Sequence, residues 1–327
     1  MLNLGFVGLG WWGNELAKAA AQLSPNLTIA GCYSFSKSEM DAFKSNFDAN
    51  TYPNYDTMIC DAVIDGIVLS TPHSLHAEQI ILAAKAGKHV FVEKPLALSV
   101  ADATTAAECC KENKVILAVG HNRRFSVAAQ ELSNWIKEEK FGQILHVEAH
   151  FSGNSAMEFS PENWRADRKE SPAGSLVSIG LHMIDTIQWL LEPIERLSCI
   201  SKRQALSVDI EDTTISVFEL KNGVTGTLGT LFATPLNSYL RIYGTKGMAE
   251  TKDDFSSLTW TTGPKSSHEH ALAKEDTLVA ELQAFQRACA GESTYPVSPL
   301  EAIHNVAVIQ AMNNSSQKNG KWISLGK

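Results

Sequence analysis

The stretch Gly8-Leu9-Gly10-Trp11-Trp12-Gly13 decides the fold of this 327-residue chain. It follows an apolar run at residues 4–7 and precedes a helical pattern of apolar residues at 16–23. In this setting G-x-G-x-x-G is a dinucleotide-binding fingerprint, because the glycines allow a tight turn and let the backbone approach a pyrophosphate. The phosphate then meets free N–H groups at the helix N-terminus. The alternative is a glycine turn that binds no ligand.

The end of the second predicted strand, Leu27–Tyr33, indicates which dinucleotide is bound. An NAD-binding fold usually places Asp or Glu there, about 20 residues past the glycines, to bind the adenosine ribose. This chain has Ser34-Phe35-Ser36-Lys37, which offers two hydroxyl groups and a cation. That combination suits a 2′-phosphate, so the sequence favours NADP over NAD. The alternative is that Ser36 only caps the next helix, since Ser36 and Glu39 have capping-box spacing.

Strand and helix patterns alternate through the rest of the first domain. Apolar strand patterns lie at 66–70, 90–92 and 115–119, with helical patterns at 75–86 and 99–113. This alternation predicts right-handed crossovers and a parallel sheet. Ligands bind outside the carboxyl ends of such strands. We therefore expect the residues that follow the strands to line a binding crevice.

The strand at 90–92 runs directly into Glu93-Lys94-Pro95. Lys94 can act there as a hydrogen-bond donor or a proton-transfer group, because a lysine shifts its pKa readily when it is partly buried. The alternative is a strand that ends in a charged turn. The preceding strand is followed by Ser70-Thr71-Pro72 and then by His76, and a lone histidine in that place is more often structural than catalytic.

The second half of the chain has the alternation and turns of an antiparallel sheet, between residues 212 and 247. Helices are predicted at 277–290 and 302–319, and a mobile loop is predicted at 262–274. Residues 120–125 close the first domain. The predicted domains are therefore 1–122 and 123–327.

A polar stripe interrupts an otherwise apolar helical pattern in the second domain. Offsets of four and three residues place Ser178, His182 and Asp185 on one helical face. Such a stripe suggests the wall of a cleft. The alternative for His182 alone is a hydrogen-bonded histidine within the core.

Composition excludes several classes of protein. A net charge of −8 without a basic run argues against a nucleic-acid partner. No apolar run reaches the roughly 18 residues of a membrane span, and the N-terminus lacks the basic region of a signal peptide. The six cysteines form no C-x-x-C pair and have no metal-ligand spacing. A cytoplasmic protein with reduced thiols and no metal site is the simplest interpretation.

The motifs together resemble the Gfo/Idh/MocA oxidoreductase family. They are the glycine turn, Ser70-Thr71-Pro72 with His76, and Ala86-Gly87-Lys88-His89 running into Glu93-Lys94-Pro95. The resemblance covers essentially the whole chain. It implies an α/β fold class, with a Rossmann domain followed by an α+β domain that has a large, mostly antiparallel open sheet. It also implies a last helix that packs back on the first domain, and a cis Lys94–Pro95 bond as in some relatives.

The resemblance also implies roles for particular residues. Lys94 would lie beside the nicotinamide and His182 would face the substrate hydroxyl, as the catalytic pair. Many family dehydrogenases have Asp four residues before this histidine, where this chain has Ser178, and a serine cannot stabilise an imidazolium as a carboxylate does. The implied cofactor-binding residues are Gly8, Gly10, Trp12, Gly13, Ser34, Ser36, Lys37, Ser70, Thr71, Pro72, His76, Glu93, Lys94 and Arg165. The implied substrate-binding residues are Arg124, Trp164, Ser178 and Asp185.

The implied activity is that of an NAD(P)-dependent dehydrogenase or reductase. Hydride would pass between nicotinamide and a secondary alcohol or ketone of a sugar, polyol or cyclic diol. Two alternatives stay open: an NAD-assisted glycoside hydrolase of the same family, and a non-catalytic NADP-binding sensor. Family analogy also implies a homodimer or homotetramer that forms through the open face of the sheet.

Overall fold

The structure, a computed structural model, describes residues 1–263 and 266–326 and has two compact units. Unit 1 comprises residues 1–122 and 276–306, and unit 2 comprises residues 123–275 and those from 307 onward. The chain leaves unit 1 after Asn122, where the sequence placed the domain boundary. In the described ranges, no helix is long and apolar enough to cross a bilayer.

Unit 1 is built on a parallel sheet of six strands. Its elements are β1 Leu2–Val7, α1 Trp11–Ala21, β2 Leu27–Tyr33, α2 Lys37–Phe47, β3 Asn50–Thr51, α3 Tyr55–Ile59, β4 Gly66–Leu69, α4 His76–Lys85, β5 His89–Glu93, α5 Val100–Glu112 and β6 Leu117–Gly120. The strand order is β3-β2-β1-β4-β5-β6, and every neighbouring pair is parallel. The order reverses between β1 and β4, which is where open α/β sheets bind ligands.

The central strands of unit 1 are apolar because they are buried on both faces of the sheet. All four residues of β4 are buried, and the side chains of Val90, Phe91 and Val92 on β5 have no exposed surface. The predicted parallel Rossmann sheet is thereby confirmed.

Unit 2 is built on a nine-stranded sheet. The remaining elements of the chain are α6 Val127–Lys137, β7 Ile144–Ser152, α7 Leu181–Leu190, β8 Ile194–Lys202, β9 Thr213–Leu220, β10 Thr225–Leu231, β11 Asn237–Gly244, β12 Gly247–Lys252, β13 Ser257–Gly263, β14 Ser266–His270, α8 Thr277–Cys289, α9 Pro299–Gln317 and β15 Ile323–Ser324. The order is β14-β13-β12-β11-β7-β10-β9-β8-β15, and only β7 and β10 pair in parallel. The predicted, mostly antiparallel sheet is confirmed.

One face of this sheet is covered and the other is open. Phe218 and Leu220 of β9 belong to the same buried cluster as apolar residues of α6 and α7. Ile215 and Val217, which alternate with them, are exposed. The period of two along β9 therefore separates a core face from a solvent face.

Residues 276–306 belong to unit 1, whereas the predicted second domain spans 123–327 with a last helix that packs back on the first domain. In the structure, Leu282 and Phe285 of α8 are fully buried in the core of unit 1. The ring of Phe285 lies 5.8 Å from that of Phe91 on β5. Residues 299–306 of α9 belong to unit 1, and the rest of that helix belongs to unit 2.

The predicted mobile loop at 262–274 is wrong for much of its length. Strand β14 pairs with β13, with His270 opposite Leu258 and Ser267 opposite Thr261. Strand β14 is at the edge of the sheet, and its residues are polar. Because loops are also rich in polar residues, the sequence did not distinguish this strand from a loop. Two residues of the expected loop, Pro264 and Lys265, lie outside the described residues.

Candidate active site

The glycine turn between β1 and α1 is closely packed. Gly8 has φ +85°, and a Cβ there would lie 2.6 Å from the carbonyl oxygen of Ser70. A Cβ on Gly13 would lie 2.1 Å from the carbonyl oxygen of Gly8. A Cβ on Gly10 would meet nothing within 4 Å. The first and third glycines are therefore required for packing, whereas the second borders open space.

This open space fits the pyrophosphate of a dinucleotide. Gly10 is the N-cap residue of α1, and no side chain caps the helix there. The N–H groups of its first turn are therefore available to an anion, which the helix dipole also favours. The indole Nε1 of Trp12 is buried and has no hydrogen-bond partner among the described residues.

The residues after β4 hold the loops of this edge together. The Ser70 hydroxyl donates to the carbonyl oxygen of Gly8 at 2.6 Å. The Thr71 hydroxyl donates to the side-chain oxygen of Gln79 at 2.6 Å. His76 is fully buried, with its ring nitrogens 2.8 Å from the carbonyl oxygen of Pro95 and 3.1 Å from that of Thr71. These contacts give His76 a structural role, because it joins the loop after β4 to the loop after β5. Pro72, which is half-buried, continues the first of these loops.

Glu93 and Lys94 end β5 at the same edge of the sheet. Val7, Leu69 and Val92 are partners in the register, so the turns that follow β1, β4 and β5 begin side by side. Glu93 is buried, Lys94 is half-buried, and the Lys94–Pro95 bond is cis as expected. The structure thus brings Lys94 to the edge that also carries the glycine turn.

Both serine hydroxyls after the end of β2 are bonded to Glu39. The Ser34 hydroxyl donates to Oε2 of Glu39 at 2.5 Å. The Ser36 hydroxyl caps α2 by accepting from the Glu39 N–H at 3.3 Å, and Lys37 is exposed. A carboxylate is therefore present beside the end of β2, although it comes from the first turn of α2.

The predicted polar helix of unit 2 has two parts. Residues Leu176–Gly180 form a π-helical segment, and α7 follows without a break. Hydrogen bonds in a π-helix join i to i+5, so its turns are wider than those of α7. His182 and Asp185 both lie on α7 and are buried, while Ser178 is half-buried.

Arg124 and Asp185, both predicted to bind substrate, are paired with each other. The Arg124 Nε donates to Oδ2 of Asp185 at 2.8 Å, and a terminal guanidinium nitrogen donates to Oδ1 at 2.7 Å. Each residue is 1% exposed. A bidentate pair in this setting is strong and geometrically specific. It fixes α7 to the segment that follows Asn122.

Trp164 and Arg165 form a short 3-10 turn in unit 2. The Arg165 guanidinium lies 4.1 Å from the centre of the Trp164 ring, and both side chains are half-buried. Among the described residues, no group of three or more His, Cys, Asp and Glu could hold a metal ion.

Two family models match the chain. One, described as the oxidoreductase family with an NAD-binding Rossmann fold, matches residues 2–121, and the Gfo/Idh/MocA C-terminal domain matches residues 129–250. In addition, 2,7-anhydro-N-acetylneuraminate hydratase of Escherichia coli is 30% identical over 84% of this chain and 75% of that protein. The chain belongs to the Gfo/Idh/MocA oxidoreductase family. Unit 1 therefore contains the NAD-binding Rossmann domain of this family, and the predicted family and enzyme class are confirmed.

Other members of the Gfo/Idh/MocA family match over different lengths. Glucose-6-phosphate 3-dehydrogenase of Bacillus subtilis is 29% identical, and the match spans 59% of this chain but only 54% of that protein. A solved levoglucosan dehydrogenase in complex with NADH has a TM-score of 0.91 at 21% identity and covers 100% of this chain and 99% of its own. The WlbA dehydrogenase of Bordetella pertussis, solved with NADH and UDP-GlcNAcA, has a TM-score of 0.90 at 20% identity, covering 100% of this chain and 98% of its own. These two structures share the fold.

The Arg124–Asp185 pair generates a prediction about stability. We expect Asp185→Leu to lower the free energy of unfolding by about 3–5 kcal/mol, because it leaves a guanidinium buried without its carboxylate. The double variant Arg124→Met with Asp185→Leu should lose less than Asp185→Leu alone, since an apolar replacement of a buried pair is often neutral. Urea unfolding followed by circular dichroism measures both. A loss below about 1 kcal/mol for Asp185→Leu, the scale of an exposed ion pair, would contradict the assignment.

Proposed function

We propose that this chain is an NAD(P)-dependent dehydrogenase or reductase that acts on a secondary alcohol, or its ketone, of a sugar, polyol or cyclic diol. The observation that carries the proposal is the open space at Gly10, in front of the uncapped N-terminus of α1. Lys94 lies at the same edge of the sheet. The edge therefore combines an anion-binding turn with a group that can move a proton.

The residues of this edge fit a nicotinamide dinucleotide. The backbone of residues 8–13 would hold the pyrophosphate, and the residues after β2 would hold the adenosine half. When bound, the nicotinamide ring accepts or donates hydride at its C4 carbon. The remaining chemistry is the proton of the reacting hydroxyl, which falls to side chains of the protein.

Lys94 is the group proposed to handle that proton. A half-buried ammonium donates hydrogen bonds to an alkoxide and can pass a proton to it. His182 is proposed to orient the same hydroxyl as a neutral hydrogen-bond partner. Ser178 has no carboxylate that could stabilise a positively charged imidazole. The carboxylate of Asp185 is already paired with Arg124.

The substrate class is inferred from the names of relatives. They include glucose-6-phosphate 3-dehydrogenase, levoglucosan dehydrogenase and inositol 2-dehydrogenase, which are named for sugars or polyols. In this proposal Trp164 and Arg165 contribute to substrate or cofactor binding, as an aromatic face for a sugar ring and a cation for an anionic group.

A second candidate function is a reaction without net redox change, in which the cofactor is oxidised and reduced within one cycle. The E. coli relative at 30% identity is named a hydratase rather than a dehydrogenase. The NAD-assisted glycoside hydrolase considered above belongs to the same class of reaction. A non-catalytic sensor is disfavoured, because the chain has both Lys94 and His182.

One assay separates these candidates. Reduced-nicotinamide absorbance is followed with NAD and with NADP against sugars, polyols, dihydrodiols and anhydro-sugars, while product formation is followed by mass spectrometry. Net absorbance change with product supports the dehydrogenase. Product without net absorbance change supports the second candidate, and cofactor binding without any product would contradict both.

We also propose that the chain forms a homodimer or homotetramer through the open face of the nine-stranded sheet. Ile200 and Ile215 are cross-strand partners on that face, and both are exposed. Val217 is exposed on the same side of β9. Contiguous exposed apolar residues of this kind are typical of protein interfaces.

Lys94→Ala is expected to lower kcat by about 100-fold or more, the scale of lost general acid–base catalysis. The fold should persist, because Lys94 is at the edge of the sheet and is not part of its core. Lys85→Ala, an exposed lysine on α4, serves as the matched control and should leave kcat unchanged. Turnover by Lys94→Ala within a few fold of wild type would refute the proton-transfer role.

His182→Asn keeps a hydrogen-bond donor and an acceptor, so we expect it to lose less activity than Lys94→Ala. Ser178→Asp should move the acidic limb of the pH profile of kcat/KM, because a carboxylate there would stabilise a positively charged imidazole. Measuring kcat/KM against pH for wild type and these variants tests the division of roles. The division is wrong if His182→Asn is as damaging as Lys94→Ala and Ser178→Asp leaves the profile in place.

A further inference from the structure

We infer that Glu39 recognises the ribose of the cofactor's adenosine half and makes the chain discriminate against a 2′-phosphate. The inference rests on the proposed function, because it concerns the same cofactor. It reverses the preference that the sequence favoured, for a reason visible only in the folded chain.

The end of β2 is tied to the glycine turn. The Tyr33 carbonyl oxygen, at the last residue of β2, accepts a hydrogen bond from the Gly8 N–H at 3.2 Å. A dinucleotide held at such a turn places its adenosine ribose at the end of the second strand. Ser34 and its contacts are therefore the groups that meet the ribose hydroxyls.

Both ends of Glu39 are held at this position. Its N–H donates to the Ser36 hydroxyl at 3.3 Å, and its carboxylate accepts from the Ser34 hydroxyl at 2.5 Å. Ser34 is fixed in turn, because its hydroxyl accepts from the Ser36 N–H at 3.2 Å. Among the described residues, no ion pair joins Glu39 to Lys37, which is exposed at the start of α2. The carboxylate thus lies beside the first residue after β2, and no cation among the described residues forms an ion pair with it.

This arrangement favours a ribose with free hydroxyl groups. A carboxylate accepts charge-assisted hydrogen bonds from the 2′- and 3′-hydroxyls. A 2′-phosphate would instead bring about two negative charges close to it, and like charges at short range repel strongly. The Ser34 hydroxyl, which suggested phosphate binding in the sequence, already donates to Glu39.

Phe35 provides an independent sign that a base is bound here. Its side chain is 82% exposed, although it follows directly after Ser34. The Tyr33 ring meets it edge-on at 5.7 Å, which limits its orientation. An aromatic ring presented to solvent in this way is a stacking face for a nucleobase. We assign adenine to it, so Phe35 should matter equally for NAD and NADP.

Titration calorimetry of the full chain with NAD⁺ and with NADP⁺ tests the inference. The wild type should bind NAD⁺ more tightly than NADP⁺. Glu39→Gln should lower the ratio of the Kd for NADP⁺ to the Kd for NAD⁺ about tenfold or more. The matched control is Asp102→Asn. Asp102 has the same place in the capping box of α5, where it bonds the Ser99 hydroxyl at 2.6 Å. The control should leave the ratio unchanged, which would show that loss of a capping contact does not by itself change cofactor preference.

Variants of Phe35 test the adenine contact separately. Phe35→Ala should weaken NAD⁺ and NADP⁺ about fivefold or more and to the same extent, since stacking does not depend on the 2′ group. Phe35→Tyr keeps the ring and should restore both affinities. Unequal losses in Phe35→Ala would contradict the assignment of adenine to this ring.

Three results would overturn the inference about Glu39. They are tighter binding of NADP⁺ than NAD⁺ by the wild type, an unchanged ratio in Glu39→Gln, and equal changes in Glu39→Gln and Asp102→Asn. If Glu39→Gln does not fold, Ser34→Ala replaces it, because it removes the hydroxyl that holds the Glu39 carboxylate. This variant should also lower the ratio, and an unchanged ratio would overturn the inference. If the wild type binds neither dinucleotide, the proposed function itself fails.

Discussion

The close approach of three backbone segments at one edge of the parallel sheet is the constraint on which the rest of unit 1 depends. A Cβ on Gly8 would lie 2.6 Å from the carbonyl oxygen of Ser70, and a Cβ on Gly13 would lie 2.1 Å from that of Gly8, so neither position has room for a side chain. This contact allows α1 to begin directly after β1 with its first N–H groups uncapped. The ligand-binding capacity of the edge is thus a consequence of how tightly its turns pack.

In unit 2 a buried ion pair has the corresponding role. Arg124 lies two residues after Asn122, where the first segment of unit 1 ends. Its bidentate contact with Asp185 fixes α7. His182 lies about one turn before Asp185 on the same helix, so the pair also limits where the histidine can lie.

The sequence predicted what depends on local pattern, and missed what depends on contacts distant in sequence. The glycine fingerprint and the alternation of strands predicted the Rossmann sheet, because each element has its own periodicity. The position of Glu39 could have been found from its capping-box spacing with Ser36, but its bond to Ser34 required the backbone path between them. The partner of Asp185 lies 61 residues away, and nothing in the local pattern of either residue indicates it. The π-helical turn at 176–180 also has no sequence signal.

Calorimetric titration of a Gly10→Val variant with NAD⁺ tests the central claim most directly. Gly10 has φ −65° and open space around the position of a Cβ, so valine is compatible with the fold. The same side chain would fill the space assigned to the pyrophosphate. The account predicts a melting temperature close to that of wild type together with loss of measurable NAD⁺ binding. Binding by the folded variant with wild-type affinity would contradict it.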